Sequence, residues 1–109
     1  MYKVKGNIWI EGEKGAFIGI GRMKLLERVN VLGSITEAAK SMKMSYSQAW
    51  ELIDSMNRQS KKPLMETSAG GMGGGGTKVT AEGLRVIKQY KELLDRFDKF
   101  SKLETEKIK

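Results

Sequence analysis

The chain has 109 residues, which is enough for one small domain with a single hydrophobic core. Its 20 basic and 13 acidic residues give a net charge of +7, which favours a polyanionic partner such as DNA, RNA or an anionic membrane surface. Because the sequence contains no Cys and no His, it excludes zinc fingers, thiol or imidazole metal sites, and Cys or His nucleophiles. The N-terminus carries no long apolar run, so we expect neither a signal peptide nor a membrane span, and a location in the cytoplasm or on the nucleoid.

Residues 1–20 predict a β-hairpin that packs on the rest of the domain. Turn chemistry at residues 12–15 separates two β-rich runs, of which the first begins near Val4. Trp9 and Phe17 lie in these two runs, and we expect both rings to cover the edge of a helical core.

Residues 22–32 predict a first helix, because Leu25, Leu26 and Val29 recur at helical spacing. Gly33 follows directly, at the position where a glycine often ends a helix in a left-handed conformation. The predicted winged helix-turn-helix unit, residues 21–83, starts with this helix.

Residues 34–42 and 45–60 predict two further helices, each opened by a serine N-cap with Glu or Gln three residues later. Lys43 and Met44 separate them, so the pair forms a tight helix-turn-helix. Many such turns carry glycine where Lys43 stands, and a side chain in a left-handed conformation costs about 1 kcal/mol. The two predicted capping boxes are Ser34 with Glu37 and Ser45 with Gln48.

The third helix has the division of faces that a recognition helix needs. Its polar side suits the major groove, where Gln pairs with adenine and Glu accepts from the cytosine amine. The alternative is that these are ordinary solvated residues, with Gln48 occupied by its capping box. The predicted base-contacting residues are Ser47, Gln48, Glu51 and Ser55, and the predicted apolar face is Tyr46, Ala49, Trp50, Ile53 and Met56.

Residues 64–80 predict a second hairpin, or wing, whose tip at 70–76 is glycine at every position but Met72. The tip matches G-x-G-x-x-G, but a strand rather than a helix follows it, which argues against a nucleotide-binding loop. Glycines at a wing tip let the backbone approach DNA closely, and we expect Gly73 and Gly74 to do so. A plain hairpin tip is the alternative.

Phosphate contacts are expected around the helix-turn-helix. Hydroxyl groups and backbone N–H groups at helix N-termini suit phosphate, and lysines supply the charge. The predicted phosphate-contacting residues are Ser34, Thr36, Ser45, Lys43, Lys61, Lys62 and Lys78.

Residues 81–107 predict one long helix with Thr80 as its N-cap, within a C-terminal element of residues 81–109. At 1.5 Å per residue it spans about 40 Å. Its apolar residues repeat at heptad spacing, which predicts a dimer surface. The alternative is that the hairpin and the first helix cover this stripe within one chain. The stripe consists of Val86, Tyr90, Leu93, Phe97 and Phe100.

Six short motifs follow one another between residues 20 and 95. In this order they resemble the N-terminal DNA-binding domain of the molybdate-responsive (ModE-type) transcriptional regulators. The helix-turn-helix by itself also resembles the LysR type. The motifs are G-R-x-x-L-L-E at 21–27, G-S-I-x-x-A-A-K at 33–40, S-Y-x-x-A-W at 45–50, P-L at 63–64, the glycine loop at 70–76 and V-T-A-E-G at 79–83.

The resemblance implies a winged-helix dimer in which the first and last helices of each subunit form the contact. It thereby adds Leu25 and Val29 to the expected dimer interface. It also implies that the helix beginning at Ser45 reads the major groove and that the glycine loop is the wing. Full-length members carry C-terminal molybdate-binding domains, and since nothing after the long helix can form one, we do not expect direct molybdate binding.

The sequence thus predicts a mostly α fold with a small β component: a winged helix-turn-helix with an N-terminal β-hairpin and a long C-terminal helix. The preferred function is sequence-specific binding of double-stranded DNA by a homodimeric bacterial transcriptional regulator, on a pseudo-palindromic site linked to molybdate metabolism. No catalytic residue, metal or cofactor is predicted, because the carboxylates lie on mixed-charge helix faces. The alternative is a dimerising winged-helix module that binds protein, and a third hypothesis, an oxyanion sensor, lacks a recognisable site.

Overall fold

The computed structural model describes residues 1–67 and 76–109, and over those residues the chain forms four helices and two hairpins. The elements are β1 Ile10–Gly12, β2 Gly15–Ile18, α1 Ile20–Leu32, α2 Ile35–Ser41, α3 Tyr46–Gln59, β3 Met65–Thr67, β4 Thr77–Val79 and α4 Ala81–Lys107. β1 pairs with β2 and β3 pairs with β4, both antiparallel. The predicted fold, a winged helix-turn-helix with an N-terminal hairpin and a long C-terminal helix, is confirmed.

Serine caps set the starts of the two central helices at the predicted positions. In α3, Ser45 Oγ accepts from the Gln48 N–H at 3.1 Å and Gln48 Oε1 accepts from the Ser45 N–H at 3.0 Å, which completes the capping box. In α2, Ser34 Oγ accepts from the Glu37 N–H at 3.2 Å. The serine half of this second predicted box therefore forms. The Glu37 carboxylate pairs with Lys40 Nζ at 3.8 Å.

Two residues in the left-handed region set the ends of the first two helices. Gly33, with φ 70°, ends α1 and donates its N–H to Val29 O at 2.7 Å. Lys43, with φ 56°, lies in the turn between α2 and α3, where glycine is common. A lysine there costs about 1 kcal/mol, which the tight turn overcomes through bonds such as Met44 N–H to Ala39 O at 3.0 Å.

The core lies where α1 packs against the helix-turn-helix, the wing strands and the first half of α4. Leu25, Leu26 and Val29 of α1 are fully buried, and Tyr90 of α4 is the largest fully buried side chain. Burial of apolar surface is the main term that stabilises such a domain. The other buried apolar residues are Ile18, Met23, Ile35, Ala38, Ala39, Ala49, Ile53, Met56, Leu64, Met65, Val79, Val86 and Ile87.

The N-terminal hairpin is shorter than predicted, because its first strand begins at Ile10 rather than near Val4. The preceding residues lie along α4 instead of pairing with β2. The Val4 N–H donates to Thr105 Oγ1 at 2.8 Å, and the Tyr90 hydroxyl donates to Ile8 O at 2.8 Å. Backbone groups of this segment thus find hydrogen-bond partners on α4. A run of β-rich residues in the sequence does not reveal such partners.

The structure also corrects the predicted dimer interface. Leu25, Val29, Val86 and Tyr90 are at most 2% exposed within one chain, so their side chains offer no surface to a second copy. α1 and β4 pack against α4 within the chain, and the segment before the hairpin contacts Tyr90 through Ile8 O. The part of the predicted interface that retains exposed surface is formed by the half-buried Leu93 and Phe97 and the exposed Phe100.

In the part of the chain that the structure describes, no helix combines the length and the apolar character that crossing a membrane requires.

Candidate nucleic-acid interface

Small residues let α2 and α3 cross closely. Ala38 and Ala39 of α2 and Ala49 of α3 are all buried, with at most 1% of their surface exposed. The four-residue connection at 42–45 turns the chain through Lys43 and directly into the N-cap of α3. The N-terminal half of α3 therefore projects from the core as a rigid, exposed element.

The root of the wing is fixed to α3. Asn57 Oδ1 accepts from the Leu64 N–H at 2.8 Å, and Asn57 Nδ2 donates to Met65 O at 3.4 Å. These bonds hold the start of β3 against the C-terminal half of α3. The Thr77 N–H donates to Gly33 O at 3.0 Å, which ties β4 to the junction between α1 and α2.

A glycine lets the wing pass close to α4. A Cβ added at Gly83 would lie 2.3 Å from Leu64 O, a distance that no side chain tolerates. Thr80 caps α4 at this point: its Oγ1 accepts from the Gly83 N–H at 3.1 Å and donates to Pro63 O at 2.7 Å. The glycine of the V-T-A-E-G motif thus sets how closely the wing approaches the helical core.

The outward face of α3 carries two of the predicted base-contacting residues. Ser47 and Glu51 are exposed and one helical turn apart, so both point away from the buried face. Further along, Arg58 forms an ion pair with Asp54. This face offers a hydroxyl and a carboxylate near the N-terminus of the helix, the region that inserts into the major groove in helix-turn-helix proteins.

Gln48 is exposed, but its carbonyl oxygen is occupied. Oε1 accepts from the Ser45 N–H, and Ser45 Oγ in turn accepts from the Gln48 N–H. Bidentate pairing with adenine needs both the oxygen and the nitrogen of the amide. Gln48 would therefore have to give up half of its capping box to read adenine in this way.

Ser55 lies one turn after Glu51 but is half-buried and its hydroxyl is occupied, which argues against its predicted role in base contact. Its Oγ accepts from Arg22 Nη1 at 3.0 Å and from Gln59 Nε2 at 3.2 Å. Gln59 Nε2 also donates to Ala16 O at 2.9 Å, so this side of α3 joins α1 and β2. Spacing along α3 alone does not reveal these bonds, because the partners come from distant parts of the chain.

Tyr46 and Trp50 are exposed, not buried as predicted. The exposed fraction is 53% for Tyr46 and 47% for Trp50, whereas Ala49 and Ile53 are buried. At 100° per residue, the two aromatic residues lie at the margin of the buried face rather than at its centre. Their position on the helix was the available signal, and their apolar character outweighed it in the prediction.

The predicted phosphate-contacting lysines are all on the surface. Lys43, Lys61 and Lys78 are exposed, and none of them forms an ion pair with residues 1–67 or 76–109. Lys62 is exposed near Glu82. The hydrogen bond from Arg85 is the main cause that lowers the pKa of the Glu82 carboxyl, and the charge of Lys62 lowers it further.

The remaining residues predicted to contact DNA differ in whether their side chains are exposed and free of other bonds. Thr36 is exposed, while Ser34 is half-buried and its hydroxyl caps α2. Gly73 and Gly74, predicted at the wing tip, lie outside the described residues. Lys43, Ser47 and Glu51 are thus all exposed around the start of α3, while Asn57 anchors the root of the wing to the other end of the same helix.

Comparisons with known proteins match this architecture. A family model described as "Bacterial regulatory helix-turn-helix protein, lysR family" matches residues 20–84, the segment from α1 into the start of α4. The chain is 40% identical over 87 residues to the transcriptional regulator ModE of Haemophilus influenzae, which covers 80% of this chain and 34% of that protein.

Two further proteins are similar to this chain over the same region. The chain is 42% identical over 69 residues to the DNA-binding transcriptional dual regulator ModE of Escherichia coli K12, covering 63% of this chain and 26% of that protein. It is 32% identical over 101 residues to the molybdenum-pterin-binding protein MopB of Rhodobacter capsulatus, covering 86% and 37%.

The chain therefore spans about a third of the length of these curated relatives. The resemblance to ModE-type regulators is confirmed, and the matching family consists of regulators rather than enzymes. With the family model covering more than half of its length, this chain belongs to the lysR family of bacterial regulatory helix-turn-helix proteins.

Proposed function

We propose that this chain binds double-stranded DNA in a sequence-specific manner, as a homodimer on a pseudo-palindromic site. The observation that carries the proposal is the surface formed by Lys43, Ser47 and Glu51, in which polar groups that recognise bases adjoin a cation without an ion pair in the described chain. Base-reading groups near the start of a helix and lysines for phosphate are the two requirements of major-groove binding.

The wing supports the same function. Asn57 holds its root against α3 and Gly83 lets it pass close to α4, which allows the wing and the recognition helix to contact adjacent parts of one duplex. We propose that Lys78 on β4 and Lys61 and Lys62 before β3 contact phosphates, together with Gly73 and Gly74, which the sequence predicts at the wing tip. The ModE regulators and the molybdenum-pterin-binding protein among the relatives support a regulatory role connected with molybdenum, which we extend to this chain as part of the proposal.

The dimer contact is proposed on the second half of α4. Phe97 and Phe100 lie one turn apart with ring centroids 6.0 Å from each other, and Leu103 continues the stripe at 61% exposure. Exposed apolar side chains in a row along one helix favour association with another helix of the same kind.

The test is fluorescence anisotropy with a labelled duplex, selected from a random-sequence pool by the wild-type chain. We expect Ser47→Ala with Glu51→Ala to reduce discrimination between the selected and a scrambled duplex more than it reduces affinity for the scrambled one. Affinity should also fall steeply with salt, by about one counterion per phosphate contact. An intact dimer with no affinity for any duplex would contradict the proposal and favour the protein-interaction module.

A further inference from the structure

Tyr46 and Trp50 form an exposed aromatic pair on the first two turns of α3. They are four residues apart, so their side chains are neighbours on the same side of the helix. About half of each side chain is exposed, although both lie next to the core residues Ala49 and Ile53. Folding alone does not require large aromatic side chains at two such positions.

The polar atoms of the pair are also free. In residues 1–67 and 76–109, neither the Tyr46 hydroxyl nor the Trp50 indole N–H has a hydrogen-bond partner. Trp9 provides a contrast, because its indole N–H donates to Glu11 Oε1 at 3.0 Å. Exposed aromatic rings with unused donors are typical of binding surfaces.

Helix geometry places the pair on the wing side of α3. Asn57 lies seven residues after Trp50, which is about two turns and returns to the same side. The Asn57 amide bonds the start of β3, so this side of the helix faces the wing. Tyr46 and Trp50 occupy the same side nearer the N-terminus, between the wing and the outward face that carries Ser47 and Glu51.

We propose that Tyr46 and Trp50 determine part of the DNA sequence preference by packing against the C5-methyl groups of thymines in the major groove. This rests on the proposed function, and it adds an apolar contribution to the polar contacts proposed there. The pair adjoins the polar face of the recognition helix. Lys43, three residues before Tyr46, is exposed and has no ion pair in the described chain. The charge of Lys43 is complementary to the phosphates of DNA. Apolar side chains distinguish thymine by its methyl group.

The contact is measured with Trp50 as the reporter. Trp9→Phe leaves Trp50 as the single tryptophan, and the matched control Trp50→Phe leaves Trp9. Each variant is titrated with the duplex selected by wild type, while the labelled DNA reports binding and acrylamide, a neutral quencher, reports exposure. We expect quenching of Trp50 to fall at least about twofold on saturation, because its exposed half becomes covered, and quenching of Trp9 to stay unchanged.

The methyl group itself is tested by replacing thymine with deoxyuridine in the same duplex, which removes one methyl per base and nothing else. Wild type should bind the deoxyuridine duplex about five- to tenfold more weakly, and Trp50→Ala should narrow this difference, because only Tyr46 is then left to contact the methyl groups. Circular dichroism melting of Trp50→Ala establishes that the variant is folded.

The outcomes separate the two proposals. DNA binding with Trp50 still fully quenched, or with equal affinity for both duplexes, would overturn the aromatic contact and leave the proposed function standing. Protection of Trp50 that rises with protein concentration in the absence of DNA would assign the pair to self-association and overturn the contact as well. Failure to bind any duplex would overturn the proposed function itself.

Discussion

Two regions of this molecule expose apolar side chains, and they differ in how their charges are arranged. Around the start of α3, which carries Tyr46 and Trp50, Lys43 and Glu51 are exposed and have no ion pairs with the described residues. Along the second half of α4, near Phe100 and Leu103, acids and bases pair with one another. Those pairs are Lys99–Asp95 at 3.2 Å, Lys102–Asp98 at 2.9 Å, Lys107–Glu104 at 3.4 Å and Lys109–Glu106 at 2.8 Å.

The difference teaches which kind of partner each region suits. Apolar side chains beside an unpaired lysine and a base-reading carboxylate fit duplex DNA, which offers phosphates together with base amines and thymine methyl groups in its major groove. An apolar stripe flanked mostly by ion-paired acids and bases fits a protein surface, because most of the charge beside it is already neutralised within the chain. Our account assigns DNA to α3 with the wing and self-association to the end of α4.

The largest effect is expected where the wing meets α4. Gly83→Ala would place a Cβ 2.3 Å from Leu64 O, so the wing must shift, and we expect a loss of about 3 kcal/mol in the free energy of unfolding. Urea denaturation measures this loss. Gly21→Ala is the matched control, because an added Cβ in α1 meets no atom within 4 Å and should leave stability equal or up to about 1 kcal/mol higher. Equal stability of the two variants would mean that Gly83 does not set the position of the wing.

The next effect concerns self-association. Phe100→Glu places a charge in the exposed stripe of α4 and should weaken the proposed dimer by about 2 kcal/mol, roughly 30-fold in the dissociation constant. Analytical ultracentrifugation over a concentration series measures the change. Phe100→Leu keeps an apolar side chain and should remain dimeric, and a wild-type chain that is monomeric throughout would refute the assignment of this region.

A smaller effect is expected at the junction between the N-terminal segment and α4. Tyr90→Phe removes the hydrogen bond to Ile8 O and should lower the free energy of unfolding by about 1 kcal/mol near neutral pH. Thermal or urea unfolding measures it, with Tyr2→Phe as the control because Tyr2 is 78% exposed.

This effect should depend on pH in one direction. Burial raises the pKa of the Tyr90 phenol above its ordinary value of 10.0, so the folded chain keeps this proton to higher pH than the unfolded chain. The fold therefore loses stability at this position as the pH rises above 10.0, and is unaffected below it. Phenylalanine has no proton to lose, so the gap between wild type and Tyr90→Phe should narrow at high pH. A gap that widens there would contradict the burial of this phenol.

The smallest expected effect distinguishes two lysines of equal charge. Lys43→Ala should weaken binding to every duplex by a few-fold and lower the salt slope by about one, since one phosphate contact is lost. Lys99→Ala changes the net charge equally, but Lys99 pairs with Asp95 on α4, so DNA affinity should stay within error of wild type. Equal effects of the two substitutions would indicate that net charge alone governs binding.

The helix boundaries could be predicted because short-range bonds determine them. Ser45, Ser34 and Thr80 each accept from a backbone N–H three residues later, and Gly33 and Lys43 adopt the left-handed conformations that their positions require. Such signals lie within a few residues of sequence. The winged helix-turn-helix followed from them.

Which side chains are exposed and which are hydrogen-bonded could not be predicted as well from the sequence, because partners from distant parts of the chain decide it. The Ser55 hydroxyl is occupied because Arg22 and Gln59 donate to it, and the N-terminal segment leaves the hairpin because Thr105 and Tyr90 offer partners on α4. Hydrophobicity predicts burial only on average, which is why the exposed Tyr46 and Trp50 were missed.

The central claim is tested most directly by amide chemical-shift mapping of the dimeric chain with the selected duplex. Our account predicts shift changes in α3, above all at residues 45–51, and in β4, with residues 95–107 of α4 unchanged. Changes confined to the second half of α4, with α3 unaffected at saturation, would contradict it.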